Sequence, residues 1–103
     1  MNRRYFHKFR AKQTELDGIK FASKKEAHGY EIQKARQAAG EVLFFIRQTS
    51  FHLPGGVRYV CDFTTFDADG TVHFLDYKGM KTESYKAKKR MVEALYPVEI
   101  EEL

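Results

Sequence analysis

Two segments decide how this chain folds: Arg58-Tyr59-Val60-Cys61-Asp62-Phe63-Thr64-Thr65-Phe66 and, across Asp67-Ala68-Asp69-Gly70, Val72-His73-Phe74-Leu75-Asp76-Tyr77-Lys78. Both are rich in β-branched and aromatic residues, and the Asp-Gly pair between them closes a hairpin. Strand side chains alternate between faces. Tyr59, Cys61 and Phe63 are therefore predicted on one face, and Val60, Asp62 and Thr64 on the other. By the same rule Asp76 and Lys78 share a face, and the hairpin brings Asp62 alongside them.

Working outward, Val42 to Gln48 is a third apolar run of strand length, predicted to continue through a bend to Phe51-His52-Leu53 before the turn at Pro54-Gly55-Gly56. Upstream, Ser23-Lys24-Lys25-Glu26 reads as a capping box opening a helix over Glu26 to Ala39, with Gly40 as its stop. Downstream, Ser84 to Tyr96 predicts a second helix with Lys88, Met91, Val92, Leu95 and Tyr96 as its inner stripe. Pro97 ends it, and Val98 to Ile100 is a last short strand. The expected class is a single α/β domain, αβββαβ, with a mixed central sheet flanked by helices. Residues 1–17 read as a basic, weakly structured arm and 18–103 as the domain.

Hydrophobic residues make up 43% of the 103, enough to build a core and to exclude a disordered chain. The formal net charge of +4 is unevenly spread. Eight Lys or Arg stand against two acids in the first 25 residues, and six stand against Glu83 alone between Lys78 and Arg90. Such segregation favours a polyanionic partner, although ordinary solubilising surface is the plain alternative. The single Cys61 excludes an internal disulfide and points to a reducing, cytoplasmic compartment. His7, His28, His52 and His73 lack zinc-ligand spacing. No apolar run is long enough for a membrane span, and the N-terminus lacks a signal-peptide core.

Two carboxylates and an ammonium on one sheet surface can seat a divalent metal beside a phosphate, which is the chemistry of a metal-dependent nuclease. Magnesium needs only one or two carboxylates when a substrate phosphate completes its shell. Asp62 and Asp76 would supply these, and Lys78 would stabilise charge on the phosphoryl group. Glu26 on the first helical turn could reach the same site, though the capping box alone also explains it. The competing structural reading of Asp62 and Asp76 is a solvated strand face with ion pairing to Lys78. Lys81, Lys86, Lys89 and Arg90 follow Lys78 and would rim a bound phosphate backbone. Tyr85 is a candidate for base stacking, with core packing as the alternative. Asp67 and Asp69 read as turn residues, and Cys61 as a small core residue.

The element order, with Asp62 and Asp76-Tyr77-Lys78 on adjacent strands, resembles the PD-(D/E)XK nuclease superfamily. Three segments more closely resemble a small phage and prophage family of unknown function: Leu16 to Ala27, Tyr59 to Phe63, and Asp76-Tyr77-Lys78-Gly79 with Thr82 and Tyr85-Lys86. The resemblance implies a restriction-endonuclease-like fold, catalytic magnesium (manganese substituting) on Asp62 and Asp76, Lys78 as the catalytic lysine, and Glu26 completing the site. It also implies a DNA substrate, branched or recombination-intermediate DNA being the first choice, and 5′-phosphate products made in the host cell of a phage. Gln48 matches a family position lining the site, and Lys24 and Lys25 flank Glu26 as further DNA contacts. Cys61 stands where the superfamily name expects proline. A homodimer is attractive, since one copy offers little surface to grip two strands. The alternative is a non-catalytic nucleic-acid-binding accessory protein that keeps the fold.

Overall fold

The computed structural model describes residues 14–103. Most of the expected basic arm, 1–13, lies outside those residues. Its last part does not behave as an arm: Thr14–Leu16 form β1, paired with β2 (Ile19–Phe21). The turn between them holds Asp17 at φ 52° and Gly18 at φ 77°. Aspartate and glycine are the residues that tolerate this left-handed geometry, so a two-residue hairpin forms where charge alone suggested an unstructured arm.

Helix α1 spans Lys24–Ala38, and Ser23 caps it by accepting the Glu26 amide at 3.1 Å. The long hairpin follows: β3 (Val42–Leu53), a 3₁₀ turn at Pro54–Gly56, and β4 (Val57–Asp67). Next come β5 (Val72–Asp76), α2 (Glu83–Leu95) and β6 (Ile100–Glu102). The main sheet has the order β3-β4-β5-β6, antiparallel except for the parallel pair β5–β6. The αβββαβ order and the mixed sheet are thus as the sequence predicts, with the β1–β2 hairpin added. β6 begins two residues late. Val98 packs against the core before it, and the strand is carried instead by Ile100-Glu101-Glu102.

The helices cover opposite faces. Between α1 and the sheet pack Phe21, Ala27, Tyr30, Phe63, Leu75 and Tyr77. Between α2 and the sheet pack Phe51, Leu53, Tyr59, Cys61, Val92 and Ile100, with Phe74 beside them. The alternation of Phe74 and Leu75 between the two clusters is that of a regular strand. β4 departs from it: Cys61 packs under α2 but Phe63 under α1, so the predicted shared face of Tyr59, Cys61 and Phe63 is corrected. The cause lies in the ladder, which pairs Arg47 with Phe63 and Thr49 with Cys61 but skips Gln48 and Asp62 between them. Gln48 sits at φ 58°, a left-handed backbone inside a strand. That inversion flips the phase of both strands at one point.

On α2, the expected inner stripe is narrower than predicted. Tyr85 and Val92 are buried, Met91 and Tyr96 partly so, while Leu95 is exposed and Lys88 faces a groove.

Candidate active site

The site forms at the fork where β4 and β5 part. Their last paired residues are Phe63 and Leu75, and beyond them each strand's aspartate satisfies the other strand's backbone. Asp76 Oδ1 accepts the Asp62 amide at 2.9 Å, and Asp62 Oδ2 accepts the Tyr77 amide at 2.8 Å. Because the β4–β5 ladder ends at Phe63 and Leu75, the Asp62 amide on that side needs such a partner. Lys78 Nζ then lies 3.2 Å from Asp62 Oδ1 and 3.1 Å from Asp76 Oδ1. The predicted convergence of Asp62, Asp76 and Lys78 is therefore present.

Its setting is not a solvated strand face. Asp62 is 5% exposed and Asp76 is 0% exposed. Asp76 Oδ2 is buried without a hydrogen-bond partner among the described residues. Burial disfavours the Lys78 ammonium, but the adjacent Asp76 and Asp62 charges outweigh it and hold its pKa above the ordinary lysine value. Lys78 therefore stays protonated at neutral pH.

Glu26 joins from the other side. Ser23 caps the helix through its hydroxyl, but the Glu26 carboxylate points to the sheet: Gln48 Nε2 donates to its Oε2 at 2.9 Å and Arg47 Nη2 lies 3.4 Å from the same atom. Burial, and then the charge of Asp62, push the Glu26 pKa up, and Arg47 only partly offsets them. Glu26 is delivered there by close packing of α1. An added Cβ on Gly29, one turn further along, would stand 2.6 Å from the Tyr77 ring, so only glycine lets the helix approach this near. The Tyr77 ring is pinned in turn by Gln33 Nε2, which donates to its hydroxyl at 3.1 Å, and by Phe63 edge-on at 5.7 Å. An open groove of about 450 Å³ results, with Glu26, Arg47, Gln48, Asp62 and Lys78 among its walls.

The residues predicted to contact nucleic acid divide. Gln48 is in the groove, and Lys25 Nζ donates to the Lys78 carbonyl at 3.2 Å. Lys24, Lys81 and Arg90 are exposed. Thr82 is the α2 N-cap, its hydroxyl accepting the Tyr85 amide at 3.1 Å. Lys86 and Lys89 are engaged by Glu83 and Glu93 at 3.5 and 3.4 Å. Tyr85 is a correction: it is buried, and its hydroxyl donates to Glu102 at 2.8 Å, so it is a core residue and not a stacking platform. Asp67 and Asp69 serve the turn, Asp67 pairing with Arg36 at 3.0 Å and Asp69 accepting the Thr71 amide at 2.9 Å. Cys61 is fully buried, and burial pushes its thiol up to about 12.

Sequence reasoning missed Arg47, Lys20, Arg58 and Lys88, all of which line grooves around Lys78. Arg47 carried a signal: it is the one charged residue in the apolar run Val42 to Gln48. Its guanidinium stacks 4.5 Å from the Phe21 ring centroid, a geometry that holds it over the hairpin β1–β2.

The chain belongs to the family described as "Protein of unknown function (DUF1064)", which matches residues 6–101. No curated protein and no solved structure matches it. Among the described residues, no helix is long and apolar enough to cross a membrane.

Proposed function

We propose that this chain is a magnesium-dependent DNA endonuclease of the PD-(D/E)XK kind, acting on branched or recombination-intermediate DNA. The observation that supports it best is the buried Asp62–Asp76–Lys78 cluster, with one Asp76 oxygen left unpartnered. A buried unsatisfied acceptor costs about 1–3 kcal/mol. A hard cation would satisfy it, and an aspartate serving only to splice two strands has no use for the second oxygen.

The donor set is hard oxygen throughout, which suits magnesium. Among the described residues no three His, Cys, Asp or Glu side chains group closely enough to hold a metal alone. Asp62 and Asp76 would hold the ion, with substrate phosphate and water completing its shell and Glu26 standing near. Bound magnesium supplies Lewis acidity toward a phosphoryl oxygen and lowers the pKa of water. Lys78, kept charged by its two aspartates, stabilises negative charge gathering on the phosphoryl group. Glu26 has a raised pKa and an Oε1 free of hydrogen bonds among the described residues, so it takes a proton from water more readily than an ordinary glutamate.

One observation favours a second reading, a non-catalytic nucleic-acid-binding protein: Lys78 already bonds both aspartates and offsets one of their two charges without a metal. Cleavage decides between the two. Labelled single strand, duplex, flap and four-way junction are incubated with magnesium, manganese or EDTA, using wild type, Asp76→Ala and Lys78→Ala. The nuclease reading expects metal-dependent cutting reduced by at least 100-fold in both variants. Binding without cutting, by all three proteins and with either metal, refutes it.

A further inference from the structure

We propose that a second groove, between β4 and the start of α2, holds a backbone phosphate next to the one being cleaved. The proposal takes its substrate from the nuclease reading and adds where the strand runs. This groove, about 320 Å³, shares Val60 and Lys78 with the active-site groove, so the two meet at the catalytic lysine. The active-site side is walled by the carboxylates Glu26 and Asp62, and the second by Arg58 and Lys88 from β4 and α2. Neither of these cations has an ion-pair partner among the described residues, whereas Lys86 and Lys89 on the same helix do.

Two further features supply hydrogen-bond donors. The thirteen-residue α2 begins here, with Ser84 in the wall, and the first amides of a helix have no partner within it. Its one first-turn carboxylate, Glu83, is drawn toward Lys86. Independently, Tyr59 is 3% exposed, lines the groove, and has a buried hydroxyl with no partner among the described residues. A buried tyrosine hydroxyl ordinarily has a partner. Two unpaired cations, the Ser84 amide at the start of the helix and an unpartnered phenol around one hollow suit a phosphate anion. A polynucleotide then passes from the cations of this groove, over Lys78, to the carboxylates.

The test uses the full chain in EDTA, so that binding is read without cleavage. Anisotropy of a labelled oligonucleotide is measured from 50 to 200 mM salt, conditions that resolve phosphate contacts. Wild type is compared with Arg58→Ala/Lys88→Ala and with Lys86→Ala/Lys89→Ala, which removes equal charge. The amide shift of Ser84 is followed separately against inorganic phosphate. The expectation is about tenfold weaker binding by Arg58→Ala/Lys88→Ala and a salt slope shallower by about one, a smaller change for the other pair, and phosphate-induced shifts lost only in the first. Equal loss in both pairs overturns the proposal. So do unchanged oligonucleotide binding alongside intact phosphate shifts, which would mark a site for free phosphate only, and unchanged binding with no shifts at all. The cleavage assay separates the two readings. Wild type that cuts while the groove variant binds normally refutes the groove alone, and wild type that never cuts while the groove variant binds poorly refutes the nuclease alone.

Discussion

Gly29→Ala is the perturbation that most directly tests how α1 delivers Glu26. By helix propensity alone the change should stabilise the protein by about 1 kcal/mol, since glycine is poor in a helix interior. Packing opposes this. The new Cβ would stand 2.6 Å from Tyr77 Cδ2 and Cε2 and 2.8 Å from Cγ, so ring or helix must give by roughly 0.8 Å to reach ordinary contact. The ring cannot swing freely, because Gln33 holds its hydroxyl and Phe63 its edge. Overpacking of this kind costs about 1–3 kcal/mol, and the rigid neighbour places it in the upper half of that range. The net expectation is destabilisation of about 1–2 kcal/mol, a fall of roughly 4–16 °C in Tm for a domain of this size. Tyr77 follows Asp76 and precedes Lys78, so the displacement also moves Glu26 away from both, and under the proposed nuclease function cleavage should fall more than stability explains. Thermal melts and cleavage rates of Gly29→Ala, Tyr77→Leu and the double variant measure this, with the smaller leucine expected to recover part of the loss. A Gly29→Ala protein more stable than wild type, with unaltered cleavage, would refute the close-approach argument.

Two further outcomes follow from the site's surroundings. At Gln48, φ 58° reverses the usual strand preference, because a β-branched residue there is strained by about 1–3 kcal/mol while glycine is not. Gln48→Val should melt lower than Gln48→Gly in denaturant titrations, and the opposite ranking would show an ordinary strand position. His73 has its pKa raised above 6.5, chiefly by its hydrogen bond to Glu101, against burial and helped by Asp67 and Asp69. Its contribution to stability is thus full below about pH 6.5 and is lost as pH rises through the higher folded value. Melts of wild type and His73→Gln should converge above that window, and parallel curves throughout would show that the contact with Glu101 is without consequence.

Much of the architecture was legible because it rests on local chemistry. The capping serine, the Pro54-Gly55-Gly56 turn, the Asp-Gly hairpin and the apolar strands are short-range signals that the fold simply keeps. The convergence of Asp62, Asp76 and Lys78 was legible too, since charges at the ends of apolar strands are conspicuous, whereas Glu26 on its helix was equally explained by the capping box. Helix α1 was harder to orient: its buried face includes Glu26, Gly29 and Gln33, which carry no hydrophobic signal. Arg58 and Lys88 are indistinguishable from solubilising charge until β4 and α2 are placed side by side. Tyr85 misled for the same reason, its burial being decided by Tyr59 and Glu102 from distant parts of the chain.

The least legible feature, the break at Gln48 and Asp62, is also the one on which the site depends. Continued alternation through β4 would have kept Cys61, Asp62 and Phe63 in strict phase. The inverted backbone at Gln48 removes one rung instead, and the ladder resumes with its faces exchanged. Two consequences meet there. The Asp62 amide turns to Asp76, which locks the aspartates together across the parting strands. The Gln48 side chain reaches Glu26 on the facing helix. One strained residue thereby couples the sheet carboxylates to the helix carboxylate. Its backbone cost of about 1–3 kcal/mol is offset by bonds to two acids, and a regular ladder would provide neither. A strand that served only the fold would shed that strain with a single glycine, and in this chain glutamine stands in its place.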